Sequence, residues 1–240
     1  MYSKVVDATR DEVSSVRELL LIWRNPETRK YSRVARLDLD PSEGFLFRYL
    51  EEAHSLEGFY PLDEYPELDT VYSSDSLPVF FTNRIMSPSR PGYDDYLKWL
   101  GLEDLSSNDI PLEVLARTGG GRATDTFHVV EAPSLLGGAF ESRFFVSGLR
   151  HADVDLSIIK SVQAGDTLML RPDPENPVNQ LAMIIDTVTG QQLGWLPDWL
   201  CNEVAMLEAN EWTLSLEVER VNPEAPPRSM VLCKLTAVSA

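Results

Sequence analysis

The sequence has little positive charge. Its 21 lysines and arginines stand against 38 aspartates and glutamates, which gives a formal net charge of −17 at pH 7. Because neutralisation of phosphates by basic residues supplies most non-specific affinity for nucleic acids, this composition argues against tight binding along a duplex or a long single strand. Recognition of one terminal nucleotide needs little positive charge and stays open. A protein partner with a basic face also fits the charge.

Cysteine and histidine are scarce as well. Cys201 and Cys233 show neither CxxC nor histidine spacing, and we predict buried free thiols rather than a disulfide or metal ligands. The histidines His54, His128 and His151 have no metal-ligand spacing, and no nucleophile motif such as Gly-x-Ser-x-Gly accompanies them. We therefore predict a protein without a metal, a cofactor or a catalytic centre.

Long apolar runs are missing too. No uninterrupted apolar stretch approaches the roughly 18 residues that a membrane-spanning helix needs. The opening residues MYSKVVDATRDE lack the pattern of a signal peptide. We expect a cytoplasmic protein that has no membrane partner.

Short strand patterns dominate the second half of the chain. Apolar residues recur at helical spacing only once there, at Leu200, Val204 and Leu207, and predict one helix that starts near Asp198. Six strands and one helix predict a mainly-β domain that forms a closed or nearly closed barrel. The six predicted strands are Phe144–Val146, Leu168–Leu170, Ala182–Ile185, Leu193–Leu196, Thr213–Glu219 and Val231–Leu235.

This ordered set of strands and turns resembles the HIRAN domain over residues 143 to about 238. The resemblance implies a barrel similar to oligonucleotide-binding folds. It also implies a ligand, because DNA-binding members of the family grip the 3′-hydroxyl end of a single strand. The matching pieces, in the order of the family, are Gly148-Leu-Arg150, Gly165-Asp-x-Leu-x-Leu170, Asn176-Pro177, Ala182–Ile185 and Gly194-Trp-Leu-Pro197.

The resemblance implies that ligand-binding residues lie at two corners of the barrel. Arg150 matches a family arginine beside the terminal nucleotide, and His151 takes the place of an aromatic residue. Of Trp195 and Trp199, an exposed one would offer a surface on which a base can stack, while the other belongs to the core. The second corner consists of Asn176, Pro177, Val178 and Asn179.

Three positions depart from the DNA-binding members. Val178 stands where those members carry tyrosine, and a stacking ring contributes about 1–3 kcal/mol per base. Asn179 replaces an aspartate. Asp198 replaces a lysine and would repel a phosphate.

The first half of the chain mixes strand and helix patterns. One predicted helix carries Tyr93 and ends at Gly101, and a second begins at Pro111. We interpret Gly119–Gly121 with Arg122 as a helix-ending turn rather than a phosphate-binding loop, since it lacks the Gly-Lys-Ser/Thr ending of such loops. The predicted strands are Leu19–Trp23, Tyr31–Leu39, Phe45–Tyr49 and Thr126–Val130.

These patterns predict two domains. An α+β domain covers residues 19–132, a linker covers 133–142, and a mainly-β domain, a six-stranded OB-like or HIRAN barrel with one helix, covers 143–240. Residues 1–18 form either a tail or a short helix.

The first half also resembles the N-terminal subdomain of HipA-type Ser/Thr kinase toxins, which in some toxin systems is a separate protein that restrains the kinase. The resemblance implies that this half docks on such a kinase, and Phe81, Asn83 and Arg84 are the candidate partner-binding residues. Nothing in the sequence resembles the kinase's own ATP-binding loop or catalytic aspartate. The segments that carry the resemblance are LLLIW, FLFRY, SLPVFFTNRIM, LEVLARTGGG and TFHVV.

Two functional hypotheses follow from these observations. The first is a non-catalytic regulator of a toxin–antitoxin type, which docks on a HipA-like kinase or another basic-faced protein and binds a nucleic-acid 3′ end or a similar ligand. The alternative is a stand-alone protein that binds single-stranded DNA ends in DNA repair or phage defence.

Overall fold

The structure is a computed structural model that describes residues 18–40, 42–122, 125–132, 139–149 and 156–239. The predicted tail or helix before residue 18 and much of the predicted linker fall outside these ranges. Within them, no helix has the length and apolar character needed to cross a bilayer.

The N-terminal half contains a five-stranded antiparallel sheet with the strand order β4-β3-β2-β1-β5. Four of these strands were predicted. The fifth, β4, was not predicted, and it pairs with β3 over three residues only. The strands are β1 (Glu18–Arg24), β2 (Tyr31–Asp40), β3 (Gly44–Tyr49), β4 (Tyr72–Ser74) and β5 (Phe127–Glu131).

Four short helices lie in the N-terminal half of the described chain. The predicted end of α2 is confirmed, because Gly101 adopts a left-handed conformation (φ 68°) that glycine tolerates, and its N–H caps the helix. Pro111 lies in the first turn of α3, as predicted, and Gly119 ends that helix (φ 71°). The helices are a 3-10 helix (Glu51–Ser55), α1 (Val79–Thr82), α2 (Tyr93–Leu100) and α3 (Ile110–Thr118).

The C-terminal half is a curled six-stranded antiparallel sheet with the order β6-β11-β10-β7-β8-β9. Ser147, just past the end of β6, pairs with Trp195 of β9 through two backbone hydrogen bonds of 2.9 and 3.0 Å, so the first and last strands meet. The predicted mainly-β barrel architecture is confirmed. The strands are β6 (Ala139–Phe145), β7 (Thr167–Pro172), β8 (Met183–Thr187), β9 (Gln192–Trp195), β10 (Thr213–Val221) and β11 (Val231–Val238).

Two details of the barrel differ from the sequence analysis. Strand β6 begins at Ala139, inside the predicted linker, because Phe140 and Ser142 turn inward and are buried. A short helix α4 (Leu156–Ser161) accompanies the predicted α5 (Asp198–Ala209), and a 3-10 helix (Pro227–Ser229) precedes β11. Helix α4 was missed because six residues are too few to show a helical period.

The two halves pack against each other. The barrel core includes Leu20 and Val130 from the N-terminal sheet. Polar contacts add to this packing: Arg33 of β2 pairs with Glu203 of α5, and the Asn222 Nδ2 donates to the Trp99 carbonyl at 2.9 Å. The prediction of two domains divided at residues 133–142 stays a prediction, since much of that segment is not described.

A buried polar seam, formed by Glu113, Arg117, Glu131, Arg143 and Glu219, joins the halves. Arg117 of α3, whose side chain is 6% exposed, lies 3.3 Å from both the Glu113 and the Glu219 carboxylates. Glu219 of β10 also accepts a 2.7 Å hydrogen bond from the Arg143 Nε of β6. Burial and the neighbouring Glu113 raise the pKa of Glu131 to about 7.

Both cysteines are free and fully buried, as predicted. Burial raises the pKa of the Cys201 thiol to about 12 and that of Cys233 still further from its ordinary value. Both thiols therefore stay protonated at neutral pH.

Candidate functional site

The barrel edge is the region that the sequence analysis singled out, and we define it by Gly148, Asp173, Asn176–Asn179 and Trp195. Gly148 has a φ of 80°, and a Cβ at this position would lie 2.4 Å from the Trp195 Cε3. Only glycine lets the backbone pass over the indole ring at this distance. The chain that leads to Arg150 is thereby held against Trp195.

A hydrogen-bonded chain connects Trp195 to the second corner. The Trp195 Nε1 donates to the Asp173 Oδ2 at 3.0 Å, and the same oxygen accepts from the Asn176 Nδ2 at 3.0 Å. These bonds, that from Asn176 first, lower the pKa of Asp173. Gly148 and Asn176 therefore lie on the same side of the barrel, with Trp195 between them.

Asn176 is a structural residue of this corner. Its Oδ1 accepts from the backbone N–H groups of Val178 (3.0 Å) and Asn179 (3.2 Å), and its Nδ2 is bonded to Asp173. The Asn176 amide therefore builds the turn, and its contact with a ligand stays a prediction. That turn presents Pro177 and Val178 to solvent; Val178 is 43% exposed.

Asn179 and Trp195 keep groups that a ligand can reach. The Asn179 Oδ1 accepts from the Leu181 N–H at 2.9 Å, but its Nδ2 donates to no described residue. Trp195 is half-buried, so part of its ring faces solvent. Arg150 and His151 lie outside the described residues, and their roles stay predictions.

The predicted partner-binding residues are mostly internal. Phe81 is 1% exposed and packs against Phe47, with ring centroids 6.1 Å apart, so its assignment to a partner surface is wrong for this fold. The reason is local: α1 follows Pro78 and turns Phe81 toward the sheet. Arg84 has a side chain only 2% exposed, and of the three residues only Asn83 is exposed.

A second candidate site is the inter-sheet cleft, a cavity of about 680 Å³ between the two halves. The sequence analysis did not predict it. Its lining combines four arginines with Asp198, the only carboxylate among the described lining residues. The barrel supplies Phe145–Leu149, Pro197–Trp199 and Pro227–Ser229; the N-terminal half supplies Tyr31, Asn83–Met86, Arg90, Tyr96, Arg117–Thr118, Gly120–Gly121 and His128.

Two of the four arginines are already bonded within the protein. Arg84 donates to the Gly120 carbonyl at 2.8 Å, pairs with Asp125 and lies 4.1 Å from the centre of the Phe80 ring. Its burial lowers its pKa. Arg117 belongs to the buried polar seam. These two side chains hold the walls of the cleft in place.

The floor of the cleft is polar but mostly neutral. Burial and the neighbouring Asp198, to which its hydroxyl is hydrogen-bonded, raise the pKa of Tyr31 to about 12. The His128 ring lies 5.7 Å from the Tyr31 ring, and burial lowers the pKa of His128, so the imidazole is neutral at pH 7. Gly121 approaches closely, since a Cβ there would lie 3.1 Å from the His128 Nδ1.

The glycine run 119–121 ends a helix and contributes to the wall of the cleft. Gly119 ends α3, as predicted, while Gly120 and Gly121 line the cleft. Among the described residues there is no group of three or more histidine, cysteine, aspartate or glutamate side chains arranged to hold a metal ion.

No protein-family model and no curated protein matches the chain. Two solved structures are similar to part of it. A protein from Lactobacillus plantarum, a structural genomics target, matches with 16% identity and a TM-score of 0.35 over 43% of this chain and 100% of its own. The HIRAN domain of human HLTF matches with 20% identity and a TM-score of 0.32 over 42% of this chain and 74% of its own.

The resemblance of the N-terminal half to the HipA subdomain found no support in these comparisons and stays a prediction.

Proposed function

We propose that this chain is a non-catalytic binding protein that holds the 3′ end of a single nucleic-acid strand at the barrel edge. One observation carries the proposal. Gly148, which leads to Arg150, packs on Trp195, and Trp195 is bonded through Asp173 to the Asn176 corner. The chain just before the first corner therefore lies beside the second corner, which supports the proposal that both corners implied by the resemblance to the HIRAN domain contact one ligand.

The exposed groups of the barrel edge suit an end better than a long strand. Trp195 offers part of an aromatic surface, on which a base can stack, and Asn179 offers an amide donor. Positive charge is lacking among the described residues of the edge, so a run of phosphates would gain little there. One terminal nucleotide needs only stacking and a few hydrogen bonds.

The proposed role is binding rather than catalysis. The Asp173 carboxylate, the acidic group of the edge, accepts hydrogen bonds from two side chains and has a lowered pKa. A carboxylate of this kind is poorly suited to accept a proton from a substrate near neutral pH. The kinase-docking hypothesis is not part of the proposal, because two of its three candidate residues are internal.

Fluorescence anisotropy of the full chain with a short labelled single strand tests the proposal. We expect binding to the strand with a free 3′-hydroxyl and much weaker binding to the same strand with a 3′-phosphate. Trp195→Ala removes the stacking surface and should weaken binding by about 1–3 kcal/mol. Trp99→Ala, at a half-buried tryptophan of α2, is the matched control. Equal affinity for both strands, or equal loss in both variants, would contradict the proposal.

A gain of affinity gives a second test. Val178→Tyr places a ring at the exposed corner and should strengthen binding by about 1 kcal/mol, or roughly fivefold. Val188→Tyr, at the opposite end of β8, adds the same ring elsewhere and should change nothing. An unchanged affinity of Val178→Tyr would mean that no base reaches this corner.

A further inference from the structure

Two exposed arginines line the inter-sheet cleft, and we call the part of the cleft that they line its rim. Arg90, between α1 and α2, and Arg228, in the 3-10 helix before β11, are both exposed. Neither forms an ion pair with another described residue. They differ in this respect from Arg84 and Arg117, which are buried and paired.

The two rim arginines come from different halves and line the same cavity. Arg228 of the C-terminal half is close enough to Tyr96 of the N-terminal half to interact with it electrostatically, and the Tyr96 hydroxyl is bonded to Thr118. Arg90 precedes Tyr93 and α2, the helix that carries Tyr96. Two guanidinium groups that pair with no described carboxylate therefore line one cavity of a chain whose net charge is −17.

Neutral donors lie deeper in the cleft. The Trp199 Nε1–H has no hydrogen-bond partner among the described residues and approaches Gly119, where a Cβ would lie 3.3 Å away. The neutral His128 offers one N–H. The Asp198 carboxylate is the sole acidic group of the described lining. It can accept a hydrogen bond from a ligand hydroxyl or amino group in addition to the one from the Tyr31 hydroxyl.

We propose that the inter-sheet cleft binds a phosphate monoester of nucleotide size, with the phosphate held by Arg90 and Arg228. The volume of about 680 Å³ falls among those of small-molecule sites, roughly 300–1,000 Å³. Guanidinium groups recognise phosphate through paired, charge-assisted hydrogen bonds. The neutral floor of Tyr31, His128 and Trp199 suits the uncharged remainder of the ligand. This site is distinct from the proposed strand-binding surface, with which it shares only Gly148.

Such a phosphate has two sources, a free nucleotide or the 5′-phosphate of a strand. Calorimetry on the full chain with AMP, adenosine, inorganic phosphate and a short oligonucleotide with and without a 5′-phosphate distinguishes them. We expect saturable AMP binding and at least roughly tenfold weaker adenosine binding, because adenosine leaves the arginines without a partner. Competition between AMP and only the phosphorylated oligonucleotide would identify a strand end; its absence would identify a free nucleotide.

Variants locate the site. Arg90→Ala and Arg228→Ala should each lower the AMP affinity roughly tenfold and leave the thermal unfolding midpoint unchanged, since both side chains are exposed. Arg48→Ala is the control. Arg48 of β3 does not line the cleft, and its partner Asp38 remains paired with Arg36 when Arg48 is removed. Trp195→Ala should retain AMP binding even if it loses strand binding, so the two proposals can fail separately. Equal binding of AMP and adenosine, or unchanged AMP affinity in both rim variants, would overturn the inference.

Discussion

The barrel edge and the inter-sheet cleft use their polar side chains in opposite ways. At the barrel edge, Asp173, Asn176 and the Trp195 Nε1 bond to one another and fix the shape of the surface. At the rim of the cleft, Arg90 and Arg228 bond to no other described side chain. The barrel edge thus presents a fixed surface and an aromatic ring to a ligand, and the rim of the cleft presents positive charge. Arg117, one of the two buried arginines of the cleft, resembles the polar side chains of the barrel edge, because its ion pairs stabilise the fold.

The sharpest way to break this comparison is to remove a bonded arginine and an unbonded one. Arg117→Met should lower the free energy of unfolding by about 3–5 kcal/mol, because it takes a cation away from the buried Glu113 and from the half-buried Glu219. Arg228→Met should change it by less than about 0.5 kcal/mol. Urea denaturation measures both. Similar losses in the two variants would show that the rim arginine is structural too.

Gly148 belongs to both the barrel edge and the inter-sheet cleft, and substituting it tests whether its contact with Trp195 is rigid. Gly148→Ala forces a Cβ to within 2.4 Å of the Trp195 ring and places alanine in a left-handed backbone conformation that it tolerates poorly. Together these effects should lower the free energy of unfolding by about 2–4 kcal/mol. Gly165→Ala is the matched control. Its φ is 88° and its Cβ would meet nothing within 4 Å, so only the backbone term of about 1 kcal/mol remains. Equal losses of unfolding free energy in the two variants would mean that the Trp195 ring can move away from residue 148.

The polar seam behind the cleft should respond to pH through Glu131. Its folded pKa of about 7 lies above the ordinary value of 4.5, so the folded state binds the proton more tightly than the unfolded state does. The resulting stability is fully present below pH 4.5 and is lost as the pH rises through about 7, with a change on the order of 2 kcal/mol. Glu131→Gln should remove this dependence. Unfolding curves from pH 5 to 8 that fall in parallel for both proteins would contradict the assignment.

Local sequence signals were sufficient for most of the fold. Alternating and continuous apolar runs located ten of the eleven strands of the described chain, and Gly101 and Pro111 mark helix ends for reasons that lie within a few residues. Strand β4 escaped prediction because its three residues, Tyr72–Ser74, pair with β3 at the edge of the sheet and show no period of their own.

Sites that depend on distant residues could not be found in this way. The cleft joins Arg90 with Arg228 and Gly121 with Trp199, and no spacing along the chain relates them. Phe81 was assigned to a surface because a short helix gives no measure of which side is buried. The part that Asn176 plays in its turn could not be predicted either, because a side chain that builds a turn and one that binds a ligand look the same in a sequence.

The two buried thiols allow opening of the folded chain to be measured by chemical labelling. Cys201 on α5 and Cys233 on β11 are 0% exposed, and their raised pKa values leave almost no thiolate to react while the fold is intact. A thiol-labelling reagent can modify them only in molecules that have opened. The rate of labelling therefore follows the opening of the barrel directly, without any added probe.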